Sequence, residues 1–318
     1  MKGTILITDS LFIHKEHEDQ LRAAGYEIER LDKPKASEEE LISAIKGKSG
    51  YILGGIEEVT EKVIDAADEL KVIVFTGIGY KNFIPAWEYA TKKGIAIANA
   101  PDGPTHAVAE WALTVTLAMN RGIFDLGRTG QKDFMTTKGV EGQSVGIIGL
   151  GRIGGQIAEM IKLFHPASVS YYSKHRHEDR EPSLGILYKE LNVLLAESDI
   201  IFVCVSEDAG RGFIGQKELA VIKDGVLLVS FMTEGIIDDD ALLKELTSGR
   251  LRAASDHPGK SEEFKKLPLG IWYSSNGSNA FNTTAALKLT SDMATSSLLN
   301  ILETGNDQNL VNPDYKKE

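Results

Sequence analysis

Short β-branched runs alternate with amphipathic stretches along the first hundred residues of the chain. The apolar runs are short and nearly continuous, whereas the stretches between them place apolar residues three and four apart. This alternation is typical of a parallel sheet with helices on both faces, and it predicts that the first sheet ends near residues 95–100. The runs and stretches are TILIT, HEDQLRAAG, YEIERL, SEEELISAIKG, YILGG, VTEKVIDAADEL, KVIVFTG and IAIANA.

A second alternation follows a long helix predicted over residues 105–121, whose sequence THAVAEWALTVTLAMNR is apolar over most of its circumference. From SVGIIGL at 144–150 to LRAASD at 251–256, strand-like and helix-like segments again take turns. This pattern predicts a second doubly wound unit. A last helix over 283–304 is too late in the chain to belong to that unit alone, so we expect it to return to the first one.

Composition restricts the possible partners of the chain. The 318 residues are 42% hydrophobic and 25% charged, with a formal net charge of -11 and no long run of clustered Lys and Arg. Such a surface repels nucleic acid and anionic lipid, and no apolar run approaches a membrane span. The single cysteine, Cys204, excludes an intrachain disulfide, and the N-terminus lacks a signal-peptide pattern. We expect a cytoplasmic protein with a small-molecule ligand and no metal.

One motif carries specific chemistry. In SVGIIGLGRIGGQIAEMI, Gly149, Gly151 and Gly154 have the G-x-G-x-x-G spacing, directly after a strand and at the start of a helix. In that context the first glycine permits the tight turn, the second lets a pyrophosphate approach the backbone, and the third lets helix and strand pack closely. The segment predicts a dinucleotide site at a helix N-terminus. A glycine turn without ligand is the alternative.

The residues after the second strand of this unit bear on the identity of the dinucleotide. Many NAD sites place a carboxylate there, where it bonds the ribose hydroxyls, but this chain has Ser173, Lys174, His175 and Arg176. A hydroxyl with neighbouring cations can bond and neutralise a 2′-phosphate. The loop therefore favours NADP over NAD. A solvated basic loop that tolerates either cofactor is the alternative.

The order of elements and several motifs resemble the D-isomer-specific 2-hydroxyacid dehydrogenase family over nearly the whole chain. The resemblance implies a flavodoxin-like substrate domain at 1–99 plus 286–318, a Rossmann cofactor domain at 100–285, and an active site between them. It also implies a homodimer, because the helix near 105–121 commonly lies at a twofold interface. The stretches that carry it are LKVIVFTGIGY, GIAIANAPDGPTHAVAEWAL, VEGQSVGIIGLGRIG, ESDIIFVCVSEDAGRGFIG and GIIDDDALLKEL.

The catalytic set that the resemblance implies is an Arg, a His and a Glu, and here the chain departs from the family. Thr233 stands at the Arg position and Asn279 at the His position, and Asn279 cannot shuttle a proton at neutral pH. Glu262 is the nearest candidate for the Glu, unless it is an exposed loop carboxylate. His257, at the end of a strand, is our first choice for a relocated acid, with a surface or packing role as the alternative.

The remaining site residues also follow from matching stretches. The loop LGGIEE resembles the family's substrate loop, so the backbone amides of Gly54, Gly55 and Ile56 are expected to hold a substrate carboxylate. The further residues expected to contact the cofactor are Arg152, Ile153, Thr105, Val205 and Ser206.

Two main hypotheses for the function follow. The first is an NADP-dependent oxidoreductase that transfers a hydride to or from a small carbonyl or related substrate, other than an ordinary 2-oxo acid, because the Arg is missing. The second is a catalytically degenerate relative that binds NADP(H) as a sensor or scaffold. A module for a nucleotide other than a nicotinamide is a third, less favoured interpretation.

Overall fold

A computed structural model describes residues 1–8, 11–129, 136–231, 235–275, 277 and 279–316. The chain divides into two compact units, one formed by Met1–Pro104 with Asn282–Glu318 and the other by Thr105–Phe281. Both units are α/β, and each is built on a wholly parallel sheet, as the alternation of short apolar runs and amphipathic helices predicts. The predicted fold class is confirmed.

The first unit contains a five-stranded sheet in the order β2-β1-β3-β4-β5. Most of its strands are buried along nearly their whole length, because helices cover both faces of a parallel sheet, whereas the edge strand YEIERL mixes polar and apolar residues. The strands are β1 Gly3–Thr8, β2 Tyr26–Leu31, β3 Lys48–Leu53, β4 Val72–Phe75 and β5 Ala96–Asn99. The helices are α1 Lys15–Ala23, α2 Glu38–Ala44, α3 Glu61–Ala66, α4 Trp87–Lys92 and the late helix α12 Thr284–Thr304.

The late helix α12 belongs to the first unit. Its N-terminus is capped by the Thr283 hydroxyl, which accepts the Ala286 amide at 3.2 Å, and Gly305 ends it with a φ of 71°. Leu298 and Ile301 are buried, and the Leu298 side chain packs against Gly50 of β3. These apolar contacts hold the C-terminal part of the chain on the first sheet.

The second unit contains a seven-stranded sheet in the order β12-β11-β10-β9-β6-β7-β8. The strands are β6 Ser144–Ile148, β7 Ser168–Tyr172, β8 Leu187–Tyr188, β9 Ile200–Val203, β10 Leu227–Ser230, β11 Arg252–Ser255 and β12 Trp272–Ser274. The helices are α5 Thr105–Asn120, α6 Ile123–Thr129, α7 Arg152–Ile161, α8 Glu181–Leu184, α9 Leu191–Glu197, α10 Gln216–Val221 and α11 Asp239–Thr247.

The strand order of the second sheet reverses between β9 and β6, and ligands of open α/β sheets bind outside the carboxyl ends of the strands at such a switch point. Gly149, Gly151 and Gly154 follow β6 directly, so the glycine motif lies at this switch point. Within the described residues, no helix is both long enough and apolar enough to cross a lipid bilayer.

Candidate functional site

Two glycines of the motif are required by the packing of the turn after β6. Gly149 has a φ of 100°, which side chains rarely tolerate, and its amide donates to the Tyr172 carbonyl at 2.7 Å. A Cβ at Gly149 would lie 2.7 Å from the Cys204 carbonyl oxygen, and a Cβ at Gly154 would lie 2.1 Å from the Gly149 carbonyl oxygen. Both positions therefore need glycine whether or not a ligand is bound.

The second glycine of the motif differs from the other two. Gly151 is exposed, precedes the first residue of α7, and a Cβ there would meet nothing within 4 Å. Arg152 is exposed and Ile153 half-buried, so the first turn of the helix is open to solvent. The first amides of α7 have no intrahelical acceptor, and the helix dipole adds a positive partial charge. The residues present thus fit an anionic group such as the pyrophosphate of a dinucleotide.

The basic loop after β7 is arranged differently from the prediction. Arg176 donates to both carboxylate oxygens of Glu181, at 2.7 and 2.9 Å, and this ion pair lowers the pKa of Glu181 to about 2. The charge of Arg176 is therefore already neutralised within the chain, which weakens its assignment as a phosphate ligand. Ser173 follows β7 directly and donates its hydroxyl to the His175 carbonyl. Lys174 is exposed, and its ammonium group has no partner among the residues that the structure describes.

The loop after β9 lies against the glycine turn. The Cys204 amide donates to the Ile148 carbonyl at 2.7 Å, and a Cβ at Gly149 would lie 3.0 Å from the Val205 nitrogen. Ser206 is exposed beside them. Burial raises the pKa of the Cys204 thiol, so this cysteine is a packing residue rather than a nucleophile. Thr105, predicted to contact the cofactor, is the half-buried first residue of α5.

The loop after β3 in the first unit corrects part of the predicted substrate site. The Gly54 amide donates to the Thr8 hydroxyl at 3.2 Å, and the Ile56 amide donates to the Pro34 carbonyl at 2.8 Å. Two of the three amides expected to hold a carboxylate are thus occupied by the protein itself. Of these three amides, only that of Gly55 has no hydrogen-bond partner among the residues that the structure describes.

A buried carboxyl group lies beside this loop. Glu57 has no exposed surface, and its Oε1 accepts the Tyr51 hydroxyl at 2.8 Å, while that hydroxyl lies 3.3 Å from Thr8 Oγ1. Its Oε2 has no partner among the described residues, and a Cβ at Gly55 would lie 2.1 Å from that oxygen. Burial raises the pKa of Tyr51 well above its usual value, so the phenol stays a hydrogen-bond donor. A carboxyl group at this position does not favour a second carboxylate on the loop.

Of the four predicted catalytic residues, the structure describes Glu262, Asn279 and His257. Thr233 lies outside the described residues. Glu262 is exposed and forms a surface ion pair with Lys265, three residues on, at 2.7 Å. The structure therefore does not support Glu262 as the carboxylate that orients a catalytic group, and favours the alternative of an exposed loop residue.

The turn that contains Asn279 is held by the carboxylate of Asp256 and not by Glu262. Its amide nitrogen donates to Asp256 Oδ1 at 3.0 Å, and its side-chain amide donates to the Ser275 carbonyl at 3.3 Å. The Ala280 amide reaches both oxygens of Asp256, at 3.0 and 3.1 Å, and Ser275 also donates its hydroxyl to Asp256. Asp256 is only 2% exposed. Asp256 was not among the predicted site residues, although a carboxylate that ends a sheet strand is a signal that the sequence offers.

His257 lies next to Asp256 and lines a small cavity at the carboxyl ends of β10 and β11. The cavity measures about 40 Å³ and is also lined by Ser230, Ser255 and Asp239. Small-molecule sites typically measure about 300–1,000 Å³, so this cavity by itself is too small for a substrate. His257 is half-buried, and its role as a relocated acid stays a prediction.

The fold and the glycine turn define a two-unit α/β protein with a dinucleotide-binding second unit. Residues 113–269 match the family model described as D-isomer specific 2-hydroxyacid dehydrogenase, NAD binding domain. The chain belongs to this family, which confirms the resemblance seen in the sequence, and the matched residues lie within the second unit.

Individual relatives agree with this assignment. D-3-phosphoglycerate dehydrogenase of Methanocaldococcus jannaschii is 33% identical over 272 residues, covering 83% of this chain and 50% of the relative. Glyoxylate reductase of Thermococcus litoralis is 29% identical over 286 residues, covering 84% of this chain and 85% of the relative. The solved structure of the PH0520 protein from Pyrococcus horikoshii OT3 has a TM-score of 0.82 at 25% identity, covering 99% of this chain and 96% of that one. The chain spans about half the length of the phosphoglycerate dehydrogenases that it matches.

Proposed function

We propose that the protein is an NADP(H)-dependent oxidoreductase that transfers a hydride to or from a small carbonyl or related compound. The observation that carries the proposal is the glycine turn after β6, where Gly149 and Gly154 are fixed by packing and Gly151 leaves the first turn of α7 open. When bound, the nicotinamide ring would donate or accept the hydride. The chain supplies amide donors that hold and orient the pyrophosphate.

The preference for NADP rests on the loop after β7. Ser173 occupies the place where many NAD sites have a carboxylate, so no charge at that residue repels a 2′-phosphate. Lys174 is the exposed cation of this loop that has no ion-pair partner within the described residues, whereas Arg176 is paired with Glu181. Within this loop the proposal therefore depends on Ser173 and Lys174 more than on Arg176.

The substrate we propose is not an ordinary 2-oxo acid. Thr233 and Asn279 cannot replace an Arg that clamps a carboxylate and a His that transfers a proton. The loop at 54–56 offers one uncommitted amide, that of Gly55, with the carboxyl group of Glu57 packed against it. A neutral carbonyl compound, an imine or an activated alkene fits these residues better. Hydride addition to any of these leaves an anion that takes up one proton, and that proton comes from solvent or from His257.

The test begins with calorimetric titration of the purified protein with NADPH and with NADH. NADPH oxidation is then followed against 2-oxo acids, aldehydes, imines and enones. We expect NADPH to bind more tightly than NADH, and turnover with at least one class other than 2-oxo acids. Gly151→Ala is the matched control, because its methyl group occupies only the open space beside the helix terminus and should abolish binding in a folded protein.

Each outcome has a distinct meaning. Binding of neither nucleotide would overturn the proposed function, and tighter binding of NADH would overturn the cofactor preference. Turnover confined to 2-oxo acids would refute the proposed substrate class. Tight binding without turnover on any class would favour the sensor or scaffold hypothesis.

A further inference from the structure

Gly155 immediately follows the glycine motif but is not part of it. It lies inside α7, where glycine is less favourable than alanine, and it is buried. A Cβ at Gly155 would lie 2.1 Å from Arg180 Nη2 and 3.3 Å from Arg180 Cζ. The missing side chain at Gly155 therefore makes room for the Arg180 guanidinium against the helix.

Arg180 contacts the glycine motif directly. Its Nη1 donates to the Leu150 carbonyl at 2.6 Å, and Leu150 is the residue between Gly149 and Gly151. That bond uses one of the five N–H donors of a guanidinium. Arg180 is half-buried, and no carboxylate pairs with it among the residues that the structure describes, in contrast to Arg176. A half-buried cation without an acid partner thus stands at the proposed dinucleotide site.

The neighbouring backbone shows which part of the ligand this cation faces. The Gly149 amide bonds the Tyr172 carbonyl at 2.7 Å, so the turn after β6 touches the end of β7, and Ser173 comes next in the chain. By its bond to Leu150, Arg180 reaches this same junction from the segment that follows Ser173. In dinucleotide-binding units the adenosine ribose lies at this junction, and an Arg nearby can accommodate a 2′-phosphate.

We propose that Arg180 is the specificity-determining residue that binds the 2′-phosphate of NADP(H), and that Gly155 provides the space in which its guanidinium lies. The inference rests on the proposed function. It assigns the main discrimination between NADP(H) and NAD(H) to Arg180 rather than to Arg176, whose two-point ion pair with Glu181 occupies it. Two parallel N–H donors of a guanidinium match the geometry of a phosphate group.

The test measures dissociation constants for NADPH, NADH and adenosine 2′,5′-bisphosphate with the full-length protein at fixed salt. Hydrogen bonds to charged groups correspond to about 10- to 100-fold in affinity, so Arg180→Gln should weaken NADPH and the bisphosphate by about that factor. NADH affinity should change by less than about threefold, because NADH lacks the 2′-phosphate. Arg180→Lys keeps the charge without the fork and should fall between Arg180→Gln and the unmodified protein.

Gly155→Ala is the decisive second variant, since it leaves Arg180 in the chain but fills its place against α7. It should cause the same selective loss of NADPH and bisphosphate affinity, while thermal unfolding stays unchanged or shifts upward because alanine favours the helix. Lys189→Gln, which removes a cation paired with Glu197 at 2.6 Å, controls for the loss of one positive charge. A loss confined to the Arg180 and Gly155 variants supports the proposal.

Three results would overturn this assignment. Equal weakening of NADPH and NADH in folded Arg180→Gln would mean that Arg180 holds the glycine turn or the pyrophosphate instead. Selective loss in Arg176→Gln but not in Arg180→Gln would transfer the role to Arg176. An unmodified protein that binds NADH at least as tightly as NADPH would refute 2′-phosphate recognition while leaving nicotinamide binding intact. Binding of neither nucleotide by the unmodified protein would refute the proposed function itself.

Discussion

Two glycine-containing loops, one in each unit, follow the carboxyl end of a parallel strand, and they are built in opposite ways. The loop after β6 ends in the exposed N-terminus of α7, beside the open space at Gly151. The loop after β3 turns its amides inward, to Thr8 and Pro34, and packs against the buried Glu57. Glycine in a loop thus indicates where the backbone is tightly packed or unusually bent, and only the hydrogen-bond partners show whether a ligand can bind.

The cause of the difference is the position of the next helix. After β6, the ten-residue helix α7 starts within four residues, and its first amides have no acceptor in the helix. After β3, the chain continues as a loop to α3 at Glu61, so the amides of that loop are free to bond neighbouring segments. A loop can therefore bind an anionic ligand where its backbone amides have no hydrogen-bond partner within the protein.

The largest expected effect is on protein stability, and it comes from the loop after β6. Two variants of this loop distinguish glycines needed for packing from the glycine needed for ligand binding. In Gly154→Val the added side chain meets the Gly149 carbonyl, so the free energy of unfolding should fall by about 3 kcal/mol or more. Gly151→Ala should change it by less than about 0.5 kcal/mol while removing nucleotide binding. Urea unfolding and calorimetric titration of both variants measure this contrast. A stable Gly154→Val would show that the close contact at that glycine does not matter.

The second prediction concerns the buried acid beside the loop after β3. Tyr51→Phe removes the hydroxyl that donates to Glu57, and leaving a buried carboxyl group without that donor should cost about 1–3 kcal/mol. Replacing both partners with apolar groups, in Tyr51→Phe with Glu57→Met, should recover most of that loss. Equilibrium unfolding of the single and double variants tests it. A double variant less stable than Tyr51→Phe would contradict the interpretation.

A smaller effect is expected where the Thr8 hydroxyl accepts the Gly54 amide at 3.2 Å. Thr8→Val keeps the shape but leaves that amide unbonded, which should cost about 1 kcal/mol. Thr8→Ser retains the acceptor and serves as the control. A binding assay with small carboxylates extends the test. If Thr8→Val binds them more tightly, the hydrogen bond from the Gly54 amide to Thr8 is what prevents anion binding in the unmodified protein.

The smallest effect belongs to the ion pair between Glu181 and Arg176. Because the pKa of Glu181 is lowered from 4.5 to about 2 in the folded protein, its contribution to stability is complete above pH 4.5 and is lost as the pH falls toward 2. The stability difference between the unmodified protein and Glu181→Gln should disappear over that range of pH. Freeing Arg176 should also raise NADPH affinity by no more than about fivefold. Acid unfolding curves and calorimetry measure both effects, and a pH-independent difference would contradict the role of the ion pair.

The sequence by itself determined the elements that local physics decides. The period of apolar residues distinguished strands from helices. The spacing of Gly149, Gly151 and Gly154 marked the turn after β6, where a Cβ at Gly149 or Gly154 would collide with the backbone. The family followed from the same stretches. A late helix over 283–304 was also predicted, and the structure has a helix over Thr284–Thr304.

Only the tertiary structure decided which polar groups meet. Nothing in the order of residues indicates that Arg176 forms an ion pair with Glu181. Nor does it indicate that the Arg180 guanidinium lies against Gly155, or that Asp256 accepts the Asn279 amide. The same is true of the amides of Gly54 and Ile56. Hydrogen bonds and ion pairs act over a few ångströms between segments far apart in sequence, whereas apolar periodicity and glycine sterics act within a single segment, and this is why the fold could be predicted and the partners could not.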